Sequence, residues 1–238
     1  MDERGWEASA AAWTRFIDEG DLNRTFLLDP VMLELCGDVG GQLVLDVGCG
    51  EGRFSRLLEA QGAHVVGIDP AQSLIREASA RSLGAVRCAR ASAEQLPFHC
   101  GAFDLVVSYV MLVDVPDIVS AISEMARCLR PGGCLVVSNV SFMSAGNGWI
   151  RDENHLRLHY PVDRYFEERP VELDWQGIRV RNWHRPLQSY MQAFLRSGLI
   201  LRDFIEPFPP DDSLRDDPRY EDWYRAPNFV AMRWQKPE

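Results

Sequence analysis

The chain has 238 residues, of which 46% are hydrophobic and 25% charged, and its formal net charge at pH 7 is −10. This composition is that of a globular domain with a full core, and it excludes collagen, coiled-coil and disordered classes. The negative charge argues against a protein that mainly tracks phosphates, so no nucleic-acid partner is expected. Lys236 is the only lysine among 25 basic residues. This arginine bias fits either a GC-rich coding sequence or selection for bidentate anion contacts.

The six cysteines show neither C-x-x-C spacing nor the His/Cys spacing of a zinc site, so no metal is expected. The N-terminus has no basic start followed by an apolar run, which predicts no signal peptide. No run of about 18 apolar residues is present, so no membrane partner is expected. Together these features predict a reduced, cytoplasmic protein.

Helix and strand patterns alternate through the middle of the chain. Residues 1–35 have a helical pattern that breaks at Gly20 and Asp21. Buried-strand patterns then alternate with helical ones. The predicted strands are 43–47, 64–69, 85–91, 103–110 and 134–140, and the predicted helices 53–62, 71–82 and 122–133. Such alternation indicates βαβ crossovers and a doubly wound α/β fold with a parallel sheet.

The pattern becomes irregular after residue 140. We predict a hairpin over 172–184 that turns at Gln176 and Gly177, a helix over 187–197, and a final strand pair, 199–207 and 228–234. The expected organisation is one domain with N-terminal lid helices (1–40), a core (41–140), a substrate cap (141–186) and a C-terminal helix with a strand pair (187–238).

The segment Asp46-Val47-Gly48-Cys49-Gly50-Glu51-Gly52 follows the first predicted strand and opens a helix. Glycines at 48 and 50 let the backbone turn sharply and approach a ligand, and the helix N-terminus behind them offers free N–H groups. The dinucleotide fingerprint G-x-G-x-x-G is incomplete here, because position 53 is Arg. The spacing is instead acid-x-G-x-G-x-G.

With this spacing the sequence resembles the class I S-adenosylmethionine-dependent methyltransferases. Five segments over about 100 residues follow the order of that family: VLDVGCGEGRF (44–54), VVGIDPA (65–71), ASAEQLPF (91–98), FDLVVSYVMLVDVPD (103–117) and LRPGGCLVVSNV (129–140). The resemblance implies a Rossmann-like, seven-stranded sheet, mostly parallel with an antiparallel final strand. It also implies S-adenosyl-L-methionine as cofactor, with S-adenosyl-L-homocysteine as product.

The resemblance assigns cofactor contacts to individual positions. The glycine loop would pass beneath the methionine portion, Asp46 would hold its ammonium, and Asp69 would accept hydrogen bonds from both ribose hydroxyls. The full set of cofactor residues that it implies is Asp46, Gly48, Cys49, Gly50, Asp69, Pro70, Ser92, Ala93, Glu94, Ser108 and Tyr109. Ser92 departs from the family, where Asp is common, which leaves the contact with the adenine amino group open. Taken singly, Asp46 and Asp69 could each be helix caps instead.

Aromatic and titratable side chains concentrate outside the cofactor half, since all seven tryptophans lie outside residues 14–148. Acceptor clefts are typically apolar and aromatic with a few polar groups. The candidate acceptor residues are Trp13, Phe16, Tyr109, Trp149, Tyr165, Trp183 and Arg185. His184 is the first candidate for a general base and His159 the second, because imidazole titrates near neutral pH. The alternative for His184 is a hydrogen-bonded histidine that orients the hairpin.

The segment 182–207 resembles the small-molecule branch of the family, which includes ubiquinone and menaquinone C-methyltransferases and natural-product methyltransferases. The expected activity is O- or C-methylation of a small organic acceptor in specialised metabolism. Two alternatives stay open: a cofactor-binding protein of this fold that catalyses another reaction or none, and an RNA or protein methyltransferase. The sequence leaves monomer and homodimer undecided.

Overall fold

A computed structural model describes residues 5–82, 84, 86–141 and 148–238. Its helices are α1 (Trp6–Glu19), α2 (Asp29–Cys36), α3 (Arg53–Ala60), α4 (Gln72–Ser82), α5 (Ile118–Cys128) and α6 (Leu187–Arg196), with a π-helical turn (Asn23–Leu28) between the first two. The first five strands are β1 (Leu43–Val47), β2 (His64–Asp69), β3 (Arg87–Arg90), β4 (Phe103–Tyr109) and β5 (Leu129–Val140). The remaining strands are β6 (Ile150–Arg151), β7 (Arg157–His159), β8 (Arg169–Trp175), β9 (Ile178–His184), β10 (Ile200–Ile205) and β11 (Phe229–Gln235).

The main sheet has seven strands in the order β10-β11-β5-β4-β1-β2-β3. Strands β1 to β5 pair in parallel, and β11 runs antiparallel to both β5 and β10. This arrangement confirms the predicted fold class. Along β1, Val44 belongs to one apolar cluster and Leu45 and Val47 to another, so both faces of the strand are covered. A strand that is buried on both faces explains the continuous apolar run in the sequence.

The helix predicted over 122–133, with Pro-Gly-Gly as its stop, ends somewhat before that stop. The helix α5 ends at Cys128, and Leu129 already pairs with Phe103 in the sheet. A Cβ at Gly133 would lie 2.9 Å from the carbonyl oxygen of Asp104, so the Pro-Gly-Gly segment fits because its backbone passes directly against β4. The ammonium of Lys236 donates hydrogen bonds to the carbonyls of Ala126 (2.9 Å) and Leu129 (2.7 Å) and so satisfies the end of α5.

The predicted hairpin is present as β8 and β9. Gln176 and Gly177 both have positive φ, of 50° and 81°, as a type I′ turn requires. The N-terminal helix packs on this hairpin, where the Ser9 hydroxyl donates to the carbonyl oxygen of Arg179 and accepts from its N–H, both at 3.0 Å. The hairpin and α1 therefore lie together over the carboxyl ends of the parallel strands. Among the described residues, no helix is both long and apolar enough to cross a membrane.

Candidate active site

The loop after β1 turns through glycines that have positive φ, including Gly48 at 78° and Gly50 at 56°. The position of Gly48 admits no side chain, because a Cβ there would lie 2.2 Å from Cγ and 2.8 Å from Cβ of Met111. Met111 follows β4, the strand beside β1 in the sheet. The loop is therefore pressed against the carboxyl end of the neighbouring strand and presents bare backbone there.

Asp69 ends β2 and ties the glycine loop to it. One carboxylate oxygen accepts a hydrogen bond from the N–H of Gly50 (3.1 Å) and the other from the N–H of Ala71 (2.8 Å). The side chain is only 7% exposed, yet it lines a cavity at the strand ends. A buried carboxylate at this place presents oxygen acceptors to the hydroxyl groups of a ligand.

Asp46 lies deeper, below the glycine loop, and is 1% exposed. One of its oxygens accepts from the Ser55 hydroxyl at 2.5 Å, while Oδ1 has no partner in the described part of the chain. Burial raises the pKa of Asp46 to about 6, the Ser55 hydroxyl opposes this, and the negative charges of Asp69 and Glu51 add to it. A cation beside Oδ1 would stabilise the ionised carboxylate of Asp46.

We expect Asp46→Asn to change the pH dependence of stability. The pKa of Asp46 is higher in the folded protein than in the unfolded chain, so ionisation of its carboxyl lowers the free energy of unfolding. This loss is absent below pH 4 and complete above about pH 6. From pH 4 to pH 8, the free energy of unfolding of the variant should therefore rise by about 2 kcal/mol relative to wild type. Denaturant titrations at both pH values measure this difference.

Asp104→Asn serves as the matched control, because a backbone N–H of Leu43 lowers the pKa of Asp104. A carboxyl with a lowered pKa is ionised in both the folded and the unfolded protein above about pH 4, so the stability of Asp104→Asn relative to wild type should stay nearly constant from pH 4 to pH 8. A difference between Asp46→Asn and wild type that does not vary with pH would contradict a raised pKa at Asp46.

The N-terminal segment is fastened to the strand ends through Asp29. The Arg53 guanidinium donates two hydrogen bonds of 2.7 Å to the Asp29 carboxylate, and the Tyr109 hydroxyl donates a third at 2.8 Å. Burial and, after it, the Asp29 charge raise the pKa of Tyr109 well above its usual value. The Arg24 guanidinium also lies over the rings of Trp13 (4.7 Å) and Tyr109 (5.6 Å). These contacts hold the N-terminal helices over the glycine loop.

A cavity of about 360 Å³, here called the glycine-loop cavity, lies between the N-terminal helices and the strand ends. Its predicted residues are Trp13, Phe16, Gly48, Gly50, Asp69, Pro70, Ala93 and Tyr109. A smaller cavity of about 50 Å³ shares Trp13, Gly48, Gly50 and Tyr109 with it and reaches Asp46 and Cys49. The structure thus places Trp13 and Phe16, predicted as acceptor residues, beside the glycine loop.

A second cavity of about 500 Å³, here called the cap cavity, lies under the hairpin of β8 and β9. The predicted residues in its wall are Trp149, Trp183, His184 and Arg185. Both cavities share Val113, Val140, Leu173, Asn182 and Phe229, so they adjoin along a common wall. The two cavities are therefore direct neighbours.

His184 is 7% exposed and makes one hydrogen bond, of 2.8 Å, between Nε2 and the carbonyl oxygen of Tyr165. A carbonyl oxygen only accepts, so Nε2 carries the proton, and in the neutral ring Nδ1 holds the lone pair. The contact fixes the tautomer and the ring orientation at the wall of the cap cavity. The same contact is also the one that the alternative interpretation, a hydrogen-bonded histidine that orients the hairpin, predicts.

Comparison with known proteins finds similarity to methyltransferases. Residues 45–137 match the family described as "Methyltransferase domain". The chain is 27% identical to an S-adenosylmethionine-dependent methyltransferase from Mesorhizobium loti over 92% of its own length and 99% of that structure, with a TM-score of 0.79. Over residues 45–137 this chain therefore resembles methyltransferase domains.

Two curated relatives resemble part of this chain. Ubiquinone biosynthesis O-methyltransferase of Aromatoleum aromaticum is 37% identical over 107 residues, which are 43% of this chain and 46% of the relative. Malonyl-[acyl-carrier protein] O-methyltransferase of Serratia marcescens is 30% identical over 127 residues, 51% of this chain and 49% of the relative. The chain spans about half the length of these curated relatives.

Five predicted site residues lie outside the lining of these cavities. Ser108 is fully buried inside β4, and the Ser92 hydroxyl donates to the Glu94 carboxylate instead of facing a cavity. The Tyr165 hydroxyl accepts from the N–H of Leu187 at 2.9 Å, so this ring is part of the support for α6. His159 is exposed on β7.

Several residues that line the two cavities are not among the predicted site residues, for example Met111, Asp114, Asn139 and Asn182. The Asn182 amide donates to Asp114 at 2.6 Å, and both side chains line the glycine-loop cavity near its wall with the cap cavity. Asn139 could have been found, because it is a polar residue near the carboxyl end of a buried strand. The Asp114–Asn182 contact had no local signal, since 68 residues separate its partners.

Proposed function

We propose that this chain transfers a methyl group from S-adenosylmethionine to an oxygen or carbon atom of a small organic acceptor. The observation that carries this proposal is the common wall between the glycine-loop cavity and the larger cap cavity. Two ligands, one in each cavity, would have their reacting atoms close together at that wall. The names of the two O-methyltransferase relatives support the same reaction.

The residues of the glycine-loop cavity fit this cofactor. The Asp69 carboxylate would accept hydrogen bonds from the two ribose hydroxyls, and the unpartnered Oδ1 of Asp46 would face the ammonium group. Gly48, which has no room for a Cβ, leaves backbone where the methionine portion would pass. Pro70 and Ala93 would contact the adenine. When bound, S-adenosylmethionine supplies a methyl group that its sulfonium already activates.

The protein then has to orient the acceptor, exclude water and accept a proton. The wall of the cap cavity is largely aromatic and aliphatic, which suits a small organic acceptor. His184 would take the proton of an acceptor hydroxyl or acidic carbon at Nδ1, because its Nε2–H is held by Tyr165. Trp13 and Phe16 on α1 would shield the reacting atoms from water.

The proposal is tested by calorimetry with S-adenosylhomocysteine and by mass spectrometry after incubation with S-adenosylmethionine and a panel of phenols and polyketides. Methyl transfer gives a product 14 mass units heavier. Cofactor binding without methylation of any panel member would instead favour a non-methylating protein of this fold. Absence of cofactor binding would contradict the proposed site itself.

For His184 we expect that His184→Ala lowers turnover by at least about 100-fold and changes the affinity for S-adenosylhomocysteine by less than about twofold. His184→Gln keeps a side-chain N–H for the Tyr165 carbonyl but removes the base, so it should lose turnover to a similar degree. His159→Ala, at the exposed second candidate, should leave turnover unchanged. Near-normal turnover in His184→Gln would assign the residue to orientation of the hairpin alone.

A further inference from the structure

Several buried polar atoms on the wall of the cap cavity lack a hydrogen bond of ordinary length and angle. Among the described residues these are both amide atoms of Asn139, Nη1 of Arg185 and Oδ1 of Asp222, and all three residues line this cavity. Buried polar groups in folded proteins nearly always have a partner, so such a cluster indicates that a ligand supplies one.

Arg185 brings a buried positive charge to this wall. The residue is 4% exposed, and its guanidinium lies over the rings of Trp183 (5.2 Å) and Tyr190 (6.0 Å). Nη2 donates to the carbonyl oxygens of Val115 and Pro116, both at 2.7 Å. An arginine cannot lose its proton inside a protein, so this charge persists whenever the protein is folded.

The charge of Arg185 has no hydrogen-bonded counterion within the described chain. Its nearest carboxylate is that of Glu168, which lies 3.7 Å from Nε and is half-exposed. The Arg185 charge also lowers the pKa of Asp117 at longer range. A half-exposed acid is hydrated and compensates a buried guanidinium only weakly. An anionic ligand group would complete the pairing.

Asn139 and Tyr190 lie at the same end of the cap cavity as Arg185. Burial raises the pKa of the Tyr190 hydroxyl, whereas the Arg185 charge and weak side-chain hydrogen bonding with Asn139 and Arg185 lower it. These three side chains come from α6, from β5 and from the end of the hairpin.

Asp222, the acid in the wall of the cap cavity, accepts from the Asn228 amide at 3.2 Å and lies 3.8 Å from Arg157, so part of its charge is already compensated.

We propose that the cap cavity binds an acceptor whose aromatic ring carries a carboxylate, and that Arg185 and Asn139 hold this carboxylate. A carboxylate has the oxygens to accept from the free Nη1 of Arg185 and from the amide of Asn139. Trp149, Trp183 and Phe229 provide the apolar wall for the ring. This inference rests on the proposed methyl transfer, since it names the chemical class of its acceptor.

The test compares acids with their neutral isosteres. Calorimetry in saturating S-adenosylhomocysteine measures binding of 3-hydroxy-2-naphthoate and salicylate, and of the primary amide of each. Each acid should bind at least about tenfold more tightly than its amide, as expected for a charge-assisted hydrogen bond. Arg185→Gln should abolish this preference. Arg181→Gln should keep it, because Arg181 lies on the same hairpin but is exposed and paired with Glu172 at 2.6 Å.

Arg185 also donates hydrogen bonds to two backbone carbonyls, so Arg185→Gln could fail to fold. In that case Asn139→Ala is the deciding variant. It should reduce the preference for each acid over its amide by at least about threefold. Equal binding of acid and amide, no binding of either acid, or a preference that survives in the folded variants would overturn the proposal. An acid preference without any methyl transfer would contradict the proposed reaction and leave the carboxylate site intact. Methylation of neutral phenols without an acid preference would support the proposed reaction and contradict the carboxylate site.

Discussion

Gly48→Ala is expected to lower the free energy of unfolding by about 2 to 4 kcal/mol and to weaken S-adenosylhomocysteine binding at least about 100-fold. The new Cβ would lie 2.2 Å from Cγ and 2.8 Å from Cβ of Met111. Because the Met111 Cβ moves only with the backbone, a rotation of its side chain cannot relieve the contact. The loop would have to shift, and the cofactor cavity with it. Chemical denaturation and calorimetry measure the two effects.

Gly198→Ala separates this clash from the cost of positive φ. Gly198 has a φ of 77°, close to the 78° of Gly48, but a Cβ there meets nothing within 4 Å. We expect it to cost about 1 kcal/mol and to leave cofactor binding unchanged. The double variant Gly48→Ala/Met111→Ala should regain part of the lost affinity. Equal effects at positions 48 and 198 would show that the close approach to Met111 does not matter.

Asp69→Ala is expected to reduce the affinity for S-adenosylhomocysteine by about 100-fold or more. The carboxylate would lose two charge-assisted hydrogen bonds to the ribose, each worth about 1.5 to 3 kcal/mol. It would also stop bridging the N–H groups of Gly50 and Ala71, which are 21 residues apart in the chain. The same calorimetric titration gives the affinity of wild type and variant.

Asp69→Asn is the informative companion, because it keeps the shape of the side chain but replaces one acceptor oxygen with a donor. A donor facing either the N–H of Gly50 or that of Ala71 is unfavourable, so this variant should also bind at least about tenfold more weakly. Thermal unfolding of the ligand-free variants measures how far each substitution destabilises the fold itself, separately from its effect on cofactor binding. Wild-type affinity in a folded Asp69→Ala variant would remove this residue from the cofactor site.

The elements of the core were predictable because their signals are local. The run 43–47 is apolar throughout since both faces of β1 are covered, and most predicted strand and helix ends agree with the structure within one or two residues. The helix α5 ends before the predicted Pro-Gly-Gly stop, because Leu129 pairs with Phe103 on another strand. That partner is not visible from the composition of the segment itself.

The residues around the proposed acceptor site were less predictable from the sequence than those of the core. Both His159 and His184 lie in the irregular part of the sequence, but the pairing of β8 with β9 turns only His184 towards the cap cavity. Likewise Trp13 and Phe16 carry the aromatic character expected of an acceptor site, yet α1 packs on the hairpin so that they face the glycine loop. Register and helix orientation, which depend on distant contacts, decided these outcomes.

The sequence by itself determined the doubly wound sheet, the glycine loop and the position of Asp69, because hydrophobic period and glycine spacing act over a few residues. Only the tertiary structure decided that Asn139, Arg185 and Tyr190 meet in one cavity. They come from a buried strand, a hairpin end and a helix, and no local pattern links them. Their convergence follows from the packing of the hairpin against the strand ends, where long-range contacts select one arrangement and leave a buried charge to be paired.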